Sequence, residues 1–167
     1  MKNKTLILDH KQVERRIERM AWQVLEMADG RDEIVLAGIA RKGYVLAGLL
    51  KDVIERVADS TCLLVEVTID KRDAINSPVE ISVDEKQFID RYVVLVDDVL
   101  NTGGTLAYCL IPFLKVSTAG LSIAVLVDRD HTRFPIRADI EGLSLSTTLK
   151  EHIEVTLDKG AYSVHLY

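Results

Sequence analysis

Disulfide-forming, aromatic and chain-breaking residues are scarce in this sequence. Its 167 residues include two cysteines, three prolines and one tryptophan, and aromatic residues make up only 5%. Two cysteines cannot build the disulfide framework of a small secreted domain. Cys62 and Cys109 lie inside apolar segments, with no CxxC spacing and no Cys/His neighbour of the kind zinc uses. They read as small buried hydrophobes. No apolar run approaches the roughly 20 residues a membrane span needs, and residues 1 to 10 lack the charged-then-apolar layout of a secretory signal. These absences lead us to expect a cytoplasmic protein. Positive charge is also in deficit: the net charge is −5. That argues against nucleic acid as the main partner, although a local basic patch on an acidic chain stays open. There is no internal repeat and no low-complexity stretch.

What is present is an ordinary globular balance, 48% hydrophobic and 28% charged, which suits one domain over residues 1–167. Asp9 can cap a helix, with Gln12 three residues on as in a capping box. Val13, Ile17, Met20, Val24 and Met27 follow as a helical stripe that Gly30 closes. Ile34 to Ile39 reads as a buried strand, and Leu46, Leu49, Leu50, Val53, Ile54 and Val57 as a second helix. Thr61 to Thr68, Tyr92 to Val96 and Leu121 to Val127 read as further strands. Leu106 to Lys115 reads as a helix that Pro112 kinks or shortens. Residues 70 to 91 are polar and irregular, with a brief alternation at Val79, Ile81 and Val83, as in a functional arm. Residues 128 to 167 read as loops and short strands such as Ile153 to Leu157. Apolar strands alternating with amphipathic helices predict an α/β fold, a mostly parallel sheet with helices on both faces. Ligands of such sheets sit at the carboxyl ends of the strands, here just after Ile39, Val96 and Val127.

The strongest signal is the string from Val93 to Thr105, VVLVDDVLNTGGT. A buried strand delivers Asp97 and Asp98 to its open end, and a turn containing Gly103 and Gly104 follows. Glycine allows close backbone approach and positive φ, and the amides of such a turn can cradle an anion. Thr102 and Thr105 add hydroxyl donors. Carboxylates beside a phosphate repel it unless they face something else, such as ribose hydroxyls or Mg²⁺. The implied ligand is a sugar phosphate. The Gly-Lys-Ser/Thr of a P-loop and the dinucleotide GxGxxG are both missing. No Ser/His/Asp set competes, and the four histidines, His10, His131, His152 and His165, are scattered.

This string resembles the phosphoribosyl-pyrophosphate (PRPP) motif of type I phosphoribosyltransferases. Three further stretches resemble the PyrR branch of that family, whose members act as pyrimidine-operon attenuators and uracil phosphoribosyltransferases. They are residues 36–43 (LAGIARKG), 70–73 (DKRD) and 124–131 (AVLVDRDH), the last continuing through Pro135-Ile136-Arg137-Ala138-Asp139. The resemblance implies the type I phosphoribosyltransferase fold with a small hood at about 128–160 and a flexible arm at about 70–91. It implies that Asp97 and Asp98 hold the ribose hydroxyls and that Val99, Leu100, Asn101, Thr102, Gly103, Gly104 and Thr105 wrap the 5′-phosphate. Arg41, Lys42 and Gly43 take the place of the pyrophosphate loop, with Arg-Lys-Gly where the family usually has Thr-Arg-Gly. Arg72 is implied as the catalytic arginine of the arm, beside Asp73. Asp128, Arg129 and Ile136 are implied to border the nucleobase. Asn101 stands where some purine enzymes carry a carboxylate, and an amide is no base at neutral pH, which disfavours a purine.

The expected reaction is uracil plus PRPP giving UMP and pyrophosphate, with Mg²⁺ bound through PRPP and possible help from the acid pair rather than by the protein alone. The resemblance also implies pyrimidine-operon messenger RNA as a partner with UMP as co-ligand, through His131, Arg133 and Arg137. Thr132 and Gly104 replace frequent arginines of the family. Another base, such as hypoxanthine, remains an alternative. A dimer or larger assembly is implied as well.

Overall fold

Asp9 starts the first helix as its sequence suggests. Its carboxylate accepts from the Gln12 amide at 2.9 Å, and the Gln12 side chain accepts from the Asp9 amide at 2.9 Å, so two amides that the helix leaves open are satisfied reciprocally. In the computed structural model, which describes residues 4–70 and 72–167, this helix is α1 (His10–Met27). A short strand, β1 (Thr5–Leu8), precedes it. Then follow β2 (Glu33–Ile39), α2 (Ala40–Val57), β3 (Thr61–Thr68), β4 (Glu80–Ile81), a 3-10 turn (Glu85–Phe88) and β5 (Tyr92–Leu100). The chain continues through α3 (Gly104–Cys109), α4 (Ile111–Leu114), β6 (Gly120–Asp128), β7 (Ile140–Ser144), β8 (Ile153–Asp158) and β9 (Ala161–Leu166).

Six strands form the main sheet in the order β4-β3-β2-β5-β6-β7. All neighbours are parallel except the short edge strand β4. Alternation along the strands divides the interior into two layers. Leu36, Val94, Val96, Ala124 and Leu126 face α1 and α2. Val35, Ala37, Ile39, Val93, Leu95, Ile123 and Val125 face the other layer, with Leu106, Cys109 and Phe113 from the α3–α4 segment. Each fully buried aliphatic side chain of this kind stabilises the fold by about 1.5–3 kcal/mol before conformational entropy is charged against it. Helices therefore cover both faces, as expected.

Three details differ in extent from the sequence reading. The helix expected over 106–115 is broken at Leu110 into α3 and α4, with Pro112 in the first turn of the second piece. Proline has no N–H to donate there and loses nothing. Within the expected arm, the irregular stretch from Arg72 to Val79 gives way at Glu80 to a short strand. Beyond it, β4 pairs with β3, and Phe88 is fully buried against Phe113 at 4.8 Å between ring centroids. The 128–160 region is shared between two sheets: β7 extends the main sheet, while β8 joins β9 and the N-terminal β1 in a separate antiparallel sheet of order β1-β9-β8. Leu8, Ile153, Val155 and Val164 of this small sheet belong to the same apolar cluster as α1 and α2. Among the described residues, no helix is long and apolar enough to cross a membrane.

Candidate active site

The strand order reverses direction between β2 and β5. From β2 the chain moves through α2 to β3 on one side, then returns across β2 to β5 and continues to β6 on the other. A crevice opens at the carboxyl ends of two strands that diverge this way. Gly38 and Val96 are register partners across it, so the segment after Ile39 and the acid pair of β5 lie side by side.

Two glycines close the gap. A Cβ on Gly38 would fall 2.3 Å from Tyr44 Cα, and one on Gly43 would fall 2.6 Å from the Val96 carbonyl and 3.3 Å from Asp97 Oδ1. Only a residue without Cβ lets the start of α2 rest on β5. Ala40, the first residue of α2, takes φ +48, a left-handed conformation that costs an alanine about 1–2 kcal/mol. Ile39 caps α2 without a side-chain hydrogen bond, so its own side chain leaves the first-turn amides of α2 open. Lys42 Nζ lies 3.9 Å from Asp98 Oδ2. Ile39, Ala40, Arg41, Lys42, Asp97 and Asp98 line a cavity of about 430 Å³.

The strand carrying the acids runs further than its apolar run suggests. β5 stays paired with β6 through Leu100↔Asp128, so Asp97 and Asp98 lie within the sheet rather than in the loop after it. Asp97 is buried and accepts from the Asp98 amide at 2.9 Å; Asp98 is half-buried. Beyond Leu100 the chain turns through Gly103, at φ +84. The Thr102 hydroxyl accepts from the Gly104 amide at 3.3 Å. A second cavity, about 350 Å³, is bounded by Asp97, by the turn from Val99 to Thr105 and by His152. Asp97 is common to both cavities.

The 128–152 segment braces this turn from outside. The Thr102 carbonyl accepts from the Arg133 and Phe134 amides at 2.8 and 3.1 Å. A Cβ on Gly103 would lie 3.1 Å from Ile136 Cβ, and one on Gly104 would lie 3.1 Å from the Phe134 ring. Asp128 ends β6, its carboxylate accepting from the Asp130 amide at 2.8 Å. The Arg129 side chain is buried and spent internally. It donates to the Thr147 hydroxyl at 3.0 Å, to Asn101 Oδ1 at 3.2 Å, and to the Thr148 and Glu151 carbonyls at 3.2 and 2.8 Å. Its fork thus ties the end of β6, the 147–151 loop and the turn at Asn101 together. The Thr148 amide, 2.6 Å from Glu151 Oε2, holds that carboxyl below the ordinary range.

The structure therefore brings together Arg41, Lys42, Gly43, Asp97, Asp98, Asn101 and the turn to Thr105, with Ile136 behind Gly103. Arg72 stands apart in an exposed turn, its amide donating to Asp70 Oδ1 at 2.9 Å, and it lines neither cavity. Lys71, part of the same motif, lies outside the described residues. Arg133 and Arg137 are exposed, and His131 Nε2 is held against the Thr147 carbonyl. His152 has no motif around it in the linear chain. Its place beside the turn follows from its backbone pairing with Tyr167, at 3.2 and 3.0 Å, just ahead of β8.

Among the described residues no group of three or more His, Cys, Asp or Glu side chains is placed to hold a metal ion. The acid pair alone offers part of the oxygen shell Mg²⁺ takes; ligand oxygens and water would complete it.

Comparison with known proteins agrees with this geometry. The family model described as a phosphoribosyl transferase domain matches residues 4–159. The Bifunctional protein PyrR of Macrococcus caseolyticus is 36% identical over 171 residues, covering 99% of this chain and 98% of that protein. The protein of the same name from Bacillus subtilis is 33% identical over 171 residues, covering 95% and 93%. Among solved structures, the hypoxanthine phosphoribosyltransferase of Trypanosoma cruzi superposes with a TM-score of 0.75 at 14% identity, covering 96% of this chain and 95% of that one. A hypoxanthine-guanine phosphoribosyltransferase from Bacillus anthracis gives 0.69 at 19% identity, covering 86% and 84%. At such identities these structures speak for the fold alone. The curated relatives and the family model carry the assignment further: the chain belongs to the phosphoribosyltransferase family, as a PyrR-like member of the type I fold.

Proposed function

We propose that the protein transfers ribose 5-phosphate from PRPP to uracil, giving UMP and pyrophosphate. The observation that carries this reading is the flanking of one acid pair by two backbone cradles, Ala40–Gly43 on one side and Leu100–Thr105 on the other. PRPP has matching chemistry: a diol between a pyrophosphate and a 5′-phosphate. In this reading Asp97 and Asp98 accept from the diol, the turn amides and Thr hydroxyls hold the 5′-phosphate, and the first turn of α2 with Arg41 and Lys42 receives the pyrophosphate. The bond from C1 to the pyrophosphate oxygen breaks, the bond from C1 to uracil N1 forms, and the N1 proton is released. No covalent nucleophile is needed, because positioning and charge neutralisation lower the barrier. Bound with PRPP at Asp97 and Asp98, Mg²⁺ would supply positive charge for the departing pyrophosphate.

In the same reading Arg72 brings charge to the leaving group when its turn closes, which also excludes water. The backbone after Asp128, with Ile136, borders the base, and the Arg129 side chain acts through the turn it braces.

The test is turnover of labelled PRPP with uracil, hypoxanthine and guanine. UMP should form, and Asp97→Asn with Asp98→Asn should lower kcat/KM by about a hundredfold or more. Product from purines only would overturn the uracil assignment.

A second reading has its own observation. Phe134 and Ile136 rest on the turn glycines, and the exposed Arg133 and Arg137 flank them. A nucleotide in the turn would thereby order a basic surface suited to RNA phosphates. Filter binding to pyrimidine-operon leader RNA should then strengthen with UMP and weaken in Arg133→Ala/Arg137→Ala. The absence of any UMP effect would remove this reading. Assembly into a dimer or larger belongs to the same proposal, with sedimentation equilibrium as its check.

A further inference from the structure

We infer that His152 supplies the cation of the 5′-phosphate site. This rests on the phosphoribosyl reading of the turn and adds a residue to it. A sugar phosphate carries close to two negative charges, and the turn that would hold it brings none of the opposite sign. Of the side chains lining this cavity, only Asp97 and His152 can be charged, and Asp97 has the wrong sign. The nearby cations do not line it: Arg133, whose amide donates to the Thr102 carbonyl, has an exposed side chain outside the cavity wall. Lys42 lines the other cavity, 3.9 Å from Asp98. Arg129 reaches the turn only through Asn101 Oδ1 and gives its other donors to Thr147, Thr148 and Glu151.

The position of His152 is built rather than incidental. Its backbone exchanges two hydrogen bonds with Tyr167, the residue that follows β9 of the small sheet. The preceding residue, Glu151, is bound through its carbonyl to the guanidinium that also holds Asn101 of the turn. The sheet and the buried arginine thus fix His152 opposite the turn amides, while its side chain stays exposed to the cavity. A protonated imidazole there would donate a charge-assisted hydrogen bond to phosphate, the stronger kind, and would offset Asp97.

Calorimetric titration with ribose 5-phosphate at pH about 6, on the acidic side of neutrality where histidine most readily carries charge, tests this. The His152→Gln variant should bind about tenfold or more weakly, the loss expected for a hydrogen bond to a charged group. His152→Lys should restore affinity to within about threefold. The side chain is exposed, so both variants are expected to fold; thermal melting checks that, and His152→Ala repeats the comparison. Equal affinity in the parent and the Gln variant overturns the inference, and so does equal weakening by Gln and Lys, which marks a structural role. If the unmodified protein fails to bind ribose 5-phosphate, the phosphoribosyl reading itself falls.

Discussion

Gly43 is the residue at which fold and site meet. Its missing Cβ lets the first turn of α2 lie on the Val96 carbonyl and beside Asp97. In Gly43→Ala the methyl group would meet backbone, which cannot swing aside as a side-chain end can. The variant should lose about 1–3 kcal/mol in chemical denaturation, and its KM for PRPP should rise because the first turn of α2 is pushed off the acid pair. Arg129 illustrates a residue whose role its motif does not reveal. In the chain it reads as a cation beside the base. In the fold its planar fork bonds the 147–151 loop and the turn at Asn101 at once, an arrangement a lysine point charge cannot reproduce.

At the scale of the element, local chemistry and tertiary contact act on different parts of the molecule. The Asp9–Gln12 capping box lies on α1, whose buried stripe Val13, Ile17, Met20, Ala21 and Val24 packs away from the cavities. Asp9→Ala should cost about 1 kcal/mol of stability, read as a lower urea midpoint, and leave kcat/KM unchanged. The box was legible because it is spelled within four consecutive residues. β3 was legible for the same reason, its bounds matching the apolar run Thr61–Thr68. β1 was not, since a four-residue strand is defined by its partner and that partner, β9, lies at the far end of the chain. The extension of β5 through Asp97 and Asp98 was hidden because carboxylates are poor strand formers. Pairing with β6 overrides that preference.

On the scale of the whole molecule, burial changes the chemistry of groups far from the site. Burial, with the Glu55 carboxylate next and Lys51 opposing, pushes the Cys62 thiol up to about 11. An unfolded cysteine ionises at about 8.5. As pH rises from there toward 11, the unfolded chain sheds its proton first, so stability is lost across that window. Wild-type protein should lose more stability than Cys62→Ala between these limits, as read by denaturant midpoints. Native Cys62 should also resist alkylation at pH about 8 until the chain unfolds. A parallel loss in the two proteins would show that the thiol contributes nothing to alkaline sensitivity.

The sequence by itself determined the main strands and helices and singled out the string that joins two acids to a glycine turn, because those properties reside in residues adjacent in the chain: the apolar run Val93 to Val96, the glycines at 103 and 104, the cap at Asp9. Tertiary structure decided what stands opposite that string. It set Gly43 against Val96, closed Arg129 on Asn101 and the 147–151 loop, and brought His152 to the turn through its pairing with Tyr167. Each of these contacts joins residues well separated in the chain or hangs on a pairing made elsewhere, and no local pattern encodes such a distance.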